Sequence, residues 1–254
     1  MLHLHRILYL QRRASVPGGG ERRVRGLADA LGARLEVRAL RSRWWEPLPG
    51  DGGGWDLALK TAERRRGVPP WRLHPDDRDL LEHSPCPVWL LHPTQGGTAR
   101  SVVAAVGVAG PPDSPGDATV LRTAALLSRR LGAELTVVRP WSRLGNSILA
   151  SPLRGVSRRR YRRLLRETQT ELHEESLRIL ASRIPLVPAD LVVRMGSPET
   201  VIRSVARRCD ADVLVLGEAG AEALQDRLRG PLPERLFRTV PTALLHTSPG
   251  DPRP

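Results

Sequence analysis

Three glycines late in the sequence have a spacing that suits the binding of an anion. Gly217 and Gly220 have two residues between them, and Gly230 follows after nine more. The apolar run 211–216 predicts a buried strand before them, and residues 232–238 predict a short helix after them. In such a loop, backbone N–H groups can approach a phosphate, whose charge the positive end of the helix dipole stabilises. The pattern predicts a site for a phosphate group.

Pro231 directly follows the last of these glycines and weakens this prediction. Proline has neither an N–H nor a hydroxyl group, so it removes two donors that a phosphate would use. Its fixed φ angle suits the first turn of a helix instead. A plain surface turn that leads into a helix is therefore an open alternative for the three glycines.

The other reactive side chains form no catalytic pattern. No Ser-His-Asp, Cys-His or paired-carboxylate arrangement is evident, and the glycine loop lacks a Walker lysine and metal-binding acids. Cys86 and Cys209 occur in unrelated contexts without a CxxC motif, and there is no HExxH motif. We therefore expect a protein that is not an enzyme and has no metal site or disulfide framework.

The chain is strongly basic, with 40 Lys and Arg against 27 Asp and Glu and a net charge of +13. Such an excess points to nucleic acid or another anionic surface. The densest cluster, Arg158–Arg166, opens a long predicted helix with six arginines, which oppose the helix dipole. A solvated face with Arg–Glu pairs and an anion-binding patch are both open interpretations. Lys60, the only lysine, ends a predicted parallel strand, where it would either neutralise an anion or cap the strand.

The elements that must position these residues alternate between strands and helices. Apolar strands and short strand-to-helix connections predict a parallel, doubly wound α/β sheet in the second half of the chain. The strands are predicted at 101–108, 134–139, 190–194, 211–216 and 242–246, and the helices at 118–131, 157–183, 198–208 and 232–238.

An internal repeat divides the chain into two related halves. Residues 27–37 reappear at 127–137 with an offset of 100, whereas Asp56 and the apolar residues after it match Asp212 with an offset of 156. The first half has therefore lost 56 residues, equivalent to a helix, a strand and a helix. The predicted domains are 1–95, which is abbreviated, and 98–248, which is complete. We expect them to pack through the equivalent strands that end at His92 and His246.

The two-half layout, the D-L-A-L-K run at 56–60, the G-S-P run at 196–198 and the glycine loop resemble a tandem universal stress protein, most closely the bacterial E-type. The resemblance implies the strand order 3-2-1-4-5 and an adenine nucleotide across the carboxyl ends of strands one and four. It also implies an Asp at the end of the first strand, where this chain has Gly107, and a Ser or Thr after the third glycine, where it has Pro231. ATP or AMP binding is therefore expected to be weakened.

The sequence as a whole predicts a cytoplasmic, non-catalytic stress-response regulator with a degenerate nucleotide site in its second domain. A basic protein that associates with RNA or phospholipid and a slow nucleotide hydrolase are the alternatives. We expect no membrane span. The abbreviated half, with Trp44 and Trp45 in its 41–54 loop, is predicted to carry the most exposed apolar surface and to bind a second copy, as a homodimer, or a small molecule.

Overall fold

A computed structural model describes most of the chain as a set of helices and strands. The described residues are 4–11, 19–40, 54–62, 73–92, 99–107, 115–141, 158–182, 184, 188–217, 232–239 and 243–247. The helices are α1 (Gly19–Leu31), α2 (Pro75–His83), α3 (Pro115–Leu131), α4 (Arg158–Ser182), α5 (Pro198–Arg208) and α6 (Leu232–Thr239). The strands are β1 (Arg6–Gln11), β2 (Arg34–Ala39), β3 (Leu57–Thr61), β4 (Val88–Leu91), β5 (Ser101–Ala105), β6 (Glu134–Trp141), β7 (Ala189–Met195), β8 (Val213–Gly217) and β9 (Ala243–Thr247).

All nine described strands form one sheet, in the order β2-β1-β3-β4-β9-β8-β5-β6-β7. Neighbouring strands run parallel except β4 and β9, which run antiparallel and place Trp89 opposite Leu245. This antiparallel pair joins a four-stranded unit to a five-stranded unit. The predicted fold class, two α/β units with parallel sheets, is confirmed, and so is the pairing of the strands that end near His92 and His246.

The second unit has the order β9-β8-β5-β6-β7, which is the expected 3-2-1-4-5 order read from the other edge. Between β6 and β8 it contains α4, β7 and α5. Only residues 40–56 separate β2 from β3, whereas residues 142–212 separate β6 from β8, so the first unit is too short at this place for counterparts of α4, β7 and α5.

Alternating strand residues pack into two apolar layers, one on each face of the sheet. On one face, α1, α3 and α4 cover Ile7, Val102 and Val137. On the other face, α2, α5 and α6 cover Leu8 and Leu214. Because each layer draws residues from both units, the two units share one continuous three-layer core.

The expectation that the abbreviated half carries the most exposed apolar surface is wrong for the described residues. Among the residues that the structure describes, four of the five exposed large apolar side chains belong to the second half, and Val37 belongs to the first. The edge strand β2 of the first half alternates charged residues with apolar ones, and Trp55 is covered by two guanidinium groups. The centres of Arg6 and Arg38 lie 4.4 and 4.8 Å from its ring centroid. Trp44, Trp45 and the predicted linker at 95–98 lie outside the described residues.

None of the helices that the structure describes combines the length and apolar character needed to cross a bilayer.

Candidate functional site

The carboxyl ends of β5 and β8 form the edge where the sequence predicts a ligand. These strands are neighbours, with Ala105 opposite Leu216. Gly107 follows β5 by two residues and Gly217 is the last residue of β8, so both glycines lie at the same edge. The strand order reverses direction here, because β5 leads to β6 on one side while β8 lies on the other. Open α/β sheets bind ligands at this kind of position.

The backbone of Gly107 is already used by a neighbouring side chain. Its N–H donates to Oδ1 of Asp117, in the first turn of α3, at 2.8 Å. The family resemblance implies an acid at the end of the first strand, but here the carboxylate that contacts Gly107 comes from the following helix. Asp117 is buried and ties the strand end to the helix start. Gly107 itself has φ +64°, a left-handed conformation that residues with a Cβ rarely adopt.

Arg139 fills the space beside Gly107. A Cβ at Gly107 would lie 3.2 Å from Arg139 Nε and 3.4 Å from Cγ and Cζ of the same side chain. Arg139 belongs to β6 and is only 2% exposed, and its Nη1 donates to Ser176 Oγ of α4 at 3.2 Å. The site therefore has a buried cation as one wall, and a larger residue at position 107 would require the Arg139 side chain to shift by a few tenths of an ångström.

The positive charge of Arg139 also acts on His173, which lies on α4 as Ser176 does. Burial, and next the charge of Arg139, lower the pKa of His173 below its ordinary value. The His173 ring packs against Trp141 of β6, with 5.3 Å between ring centroids. The His173 ring and the Arg139 side chain thus share the space between β6 and α4.

The remaining predicted loop residues, Gly220, Gly230 and Pro231, lie outside the described residues. The helix that follows them, α6, begins at Leu232 directly after Pro231. Its Arg235 lies with Nε 3.4 Å from Oε2 of Glu199 on α5, so α6 is tied to α5 by an ion pair. Of the predicted site residues, the structure thus brings Gly107 and Gly217 together.

The corresponding edge of the first unit is closed by its own side chains. Lys60 Nζ donates to Asp77 Oδ1 at 2.5 Å, and both residues are buried. His74 precedes α2 and its Nδ1 accepts the N–H of Asp76 at 3.2 Å, so a side chain already caps this helix. Lys60 is thus a partner of a buried carboxylate, neither of the two roles that the sequence suggested, and the acids at the start of α2 disfavour an anion there.

The arginine-rich segment Arg158–Arg166 forms the start of α4, as predicted. Arg159, Arg160 and Arg163 are exposed. Arg163 Nε donates to Oε1 of Glu167 at 2.7 Å, and this hydrogen bond raises the pKa of Arg163 further above its ordinary value. The predicted Arg–Glu pair is confirmed, and the exposed pair contributes little to stability.

The fold and this edge define a doubly wound α/β protein of the kind that binds ligands at the carboxyl ends of its central strands. The universal stress protein family model matches residues 99–246, more than half of the chain. The chain therefore belongs to the universal stress protein family. No curated protein shows significant sequence similarity to it.

Solved structures with the same fold extend over nearly the whole chain. A functionally unknown protein of Pseudomonas aeruginosa PAO1 is 18% identical, with a TM-score of 0.70, and the match covers 98% of this chain and 94% of that one. A protein described as a universal stress protein, from Pseudomonas aeruginosa UCBPP-PA14, is 21% identical, with a TM-score of 0.62 and coverage of 97% and 84%. A universal stress protein from Archaeoglobus fulgidus is 15% identical, with a TM-score of 0.52 and coverage of 96% and 87%. At these identities the likeness concerns the fold.

Sequence reasoning missed Asp117 and Arg139 as residues of this edge. The sequence predicted a helix only from residue 118, whereas α3 starts at Pro115 and includes Asp117. Arg139 was treated as the end of an apolar strand, although a charged residue in the run T-V-V-R-P-W is itself a signal. Charged residues are rarely buried without a partner, so such a residue points to a specific local role.

Proposed function

We propose that this chain is a tandem universal stress protein of the E-type, with domains at 1–95 and 98–248. In this proposal it is a cytoplasmic, non-catalytic stress-response regulator whose second domain keeps the shape of a nucleotide site but has lost tight binding. The observation that carries the proposal is the arrangement at Gly107. Its backbone N–H already donates to the Asp117 carboxylate, and the Arg139 side chain fills the adjacent space.

The chemistry of this edge supports weak binding of ATP or AMP. A carboxylate side chain at position 107 would accept hydrogen bonds from the hydroxyl or amino groups of a bound nucleoside. Glycine has no side-chain acceptor of this kind. The two family positions that differ, Gly107 and Pro231, each remove an anion or charge-assisted contact worth about 1.5–3 kcal/mol. Together they correspond to roughly two to four powers of ten in affinity.

The chemistry also supports a non-catalytic role. Within the described residues, the side chains at this edge include a buried Arg139 and a carboxylate, Asp117, that is engaged by a backbone N–H. Hydrolysis of a phosphoanhydride needs a positioned water and a group that stabilises the departing phosphate, usually with a metal ion. In the same residues, His, Cys, Asp and Glu form no group of three that could hold a metal ion.

Denaturing mass spectrometry of protein purified without added nucleotide, together with phosphate release from added ATP, tests the proposal. We expect no stoichiometric adenine nucleotide and no phosphate release above the protein-free control. ATP or AMP that copurifies in a stoichiometric amount would contradict the proposed weak binding of nucleotide. Phosphate release that Arg139→Met abolishes in a folded variant would establish a hydrolase instead. Protein levels that stay constant under nutrient, oxidative and oxygen stress would count against the regulatory role.

A further inference from the structure

Arginines are concentrated on the outer side of α5 and on the strand beside it. On α5, Arg207 and Arg208 are exposed and Arg203 is partly exposed, and on the edge strand β7 Arg194 is exposed. Nη1 of Arg194 donates to Oγ of Ser204 on α5 at 3.4 Å, so the strand and the helix present their arginines side by side. We refer to Arg194, Arg203, Arg207 and Arg208 as the α5 basic surface.

The four arginines lie on one face of the molecule. Val192 packs into the apolar layer under α5, and Arg194 points to the same side because side chains alternate along a strand. Arg203 and Arg207 are four residues apart on α5, the spacing at which side chains are neighbours on a helix. Arg208 is likewise four residues after the serine that Arg194 contacts.

The stability of α5 explains only part of this arrangement. Arg207 and Arg208 lie in the last turn, where cations interact favourably with the helix dipole. Arg203 lies 3.8 Å from Glu199, but its spacing from Arg207 brings two like charges together, which destabilises a helix. Arg194 belongs to a strand, and its described hydrogen bond is to a neutral hydroxyl. The fold alone therefore does not account for the surface.

The charge balance on α5 differs from that on the arginine-rich α4. On α4, Arg163 pairs with Glu167, and further exposed glutamates follow. The sequence of α5 has a single carboxylate, Glu199, against three arginines. Two exposed acids, Asp190 at the start of β7 and Asp210 after α5, border the surface and reduce its charge without cancelling it. An excess of positive charge remains at α5.

We propose that the α5 basic surface binds the phosphate backbone of double-stranded nucleic acid without reading its sequence. Guanidinium groups suit this role because their N–H donors match the oxygens of a phosphate in pairs. α5 has 11 residues and is therefore about 16 Å long. That length of duplex carries about nine phosphate charges, so the arginines meet anions in any register along the duplex.

The side chains around the arginines favour a duplex over a single strand or a membrane. Proteins that bind single strands stack the bases on aromatic side chains, and the sequences of α5 and β7 contain none. Binding to a membrane surface needs apolar side chains that insert between lipids. Leu191 and Met195 of β7 are exposed, but they alternate with Arg194 and point to the other face of the sheet. Contact with the backbone of a duplex needs neither feature.

The number of arginines sets the expected affinity and its dependence on salt. Contacts with the phosphate backbone alone give dissociation constants of roughly 1–100 µM at physiological salt. Each neutralised phosphate contributes about −0.9 to the slope of the logarithm of the binding constant against the logarithm of the salt concentration. Four contacts therefore predict a slope of about −3.6.

Fluorescence anisotropy of a labelled DNA duplex of mixed sequence, about 20 base pairs long, tests the proposal over a range of salt concentrations. Arg203→Glu with Arg207→Glu should bind at least about tenfold more weakly than wild type, with a slope reduced by about 2. Arg194→Glu with Arg208→Glu should have the same effect. Circular dichroism verifies folding, and Arg203→Gln with Arg207→Gln removes the two charges without adding acids to the helix end, so it should lower the slope equally.

The control makes the same change in net charge on the other face of the sheet. Arg159→Glu with Arg163→Glu on α4 should bind within about threefold of wild type at 0.15 M salt, since charges beyond about 8 Å are then screened. An equal loss in this control would show that net charge alone attracts DNA, and would overturn the proposal. So would a wild type that does not bind the duplex, or one that binds single strands, anionic vesicles or polyglutamate as tightly.

Discussion

Asp56 and Asp212 make the same pair of backbone contacts in the two halves of the molecule. Oδ2 of Asp212 accepts the N–H groups of Arg100 and Ser101, at 2.7 and 3.1 Å, where β5 begins. Oδ2 of Asp56 accepts the two equivalent N–H groups at the start of β1, at 2.8 and 2.9 Å. Asp56 lies just before β3 and holds the start of β1 in place. Asp212 lies just before β8 and holds the start of β5 in the same way.

We expect Asp212→Ala to lower the free energy of unfolding by about 2–3 kcal/mol, because two charge-assisted hydrogen bonds to backbone N–H groups are lost. Asp212→Asn keeps one acceptor oxygen and should lose about half as much. Asp190→Ala, at an exposed position of β7, is the control and should change little. Urea denaturation measures all three variants, and a loss for Asp212→Ala no larger than the control would contradict the assigned role.

The fold was predictable from the sequence where local signals are strong. The bounds of α5 were predicted to the residue, because Pro198 marks a first turn and the capping residue Ser197 precedes it. The predicted and observed strand ends differ by up to three residues, because an apolar run does not mark the residue at which strand pairing stops. The offset between Asp56 and Asp212 correctly placed the missing elements of the first half.

The details of the candidate site were not predictable in the same way. Gly107 was recognised as a departure from the family pattern, but its left-handed φ and the proximity of Arg139 depend on how β5, β6 and α4 pack. The partner of Lys60 was likewise hidden, because Asp77 is 17 residues away and belongs to a helix on the sheet face. Tertiary contacts of this kind leave no periodic signal in a single sequence.

The buried pair of Lys60 and Asp77 gives a second prediction. Lys60→Met leaves a buried carboxylate without its cation, and we expect a loss of about 3–5 kcal/mol in the free energy of unfolding. The double variant with Asp77→Leu removes both charges and should regain most of that loss. Denaturation of the two single variants and the double variant measures the coupling. Purely additive effects would show that the two charges do not depend on each other.

A third prediction concerns pH. The pKa of His173 is lowered in the folded protein, so the unfolded chain binds a proton at that residue more readily. The stability that neutral His173 contributes is therefore fully present above its unfolded pKa of about 6.5 and is lost as the pH falls below that value. His173→Phe keeps a ring beside Trp141 but cannot titrate, so its stability should fall less between about pH 7 and pH 5. Identical pH profiles for variant and wild type would refute this role.

A fourth prediction restores the two family positions. Gly107→Asp with Pro231→Ser should bind ATP at least about tenfold more tightly than the matched control, Gly107→Asn with Pro231→Ala. Asp and Asn have the same size and tolerate a left-handed φ better than most residues do, so the strain beside Arg139 is shared by both variants. Equal affinities, measured by fluorescence titration with a labelled ATP analogue, would show that the lost carboxylate and hydroxyl are irrelevant.

Isothermal titration calorimetry of ATP into the wild-type protein tests the weakened nucleotide site most directly. Since Gly107 offers no carboxylate and Arg139 occupies the adjacent space, we expect either no measurable heat of binding or a dissociation constant weaker than about 10 µM. A one-to-one complex with a dissociation constant below about 1 µM would contradict the account, because the described edge would then bind nucleotide tightly without a carboxylate at position 107.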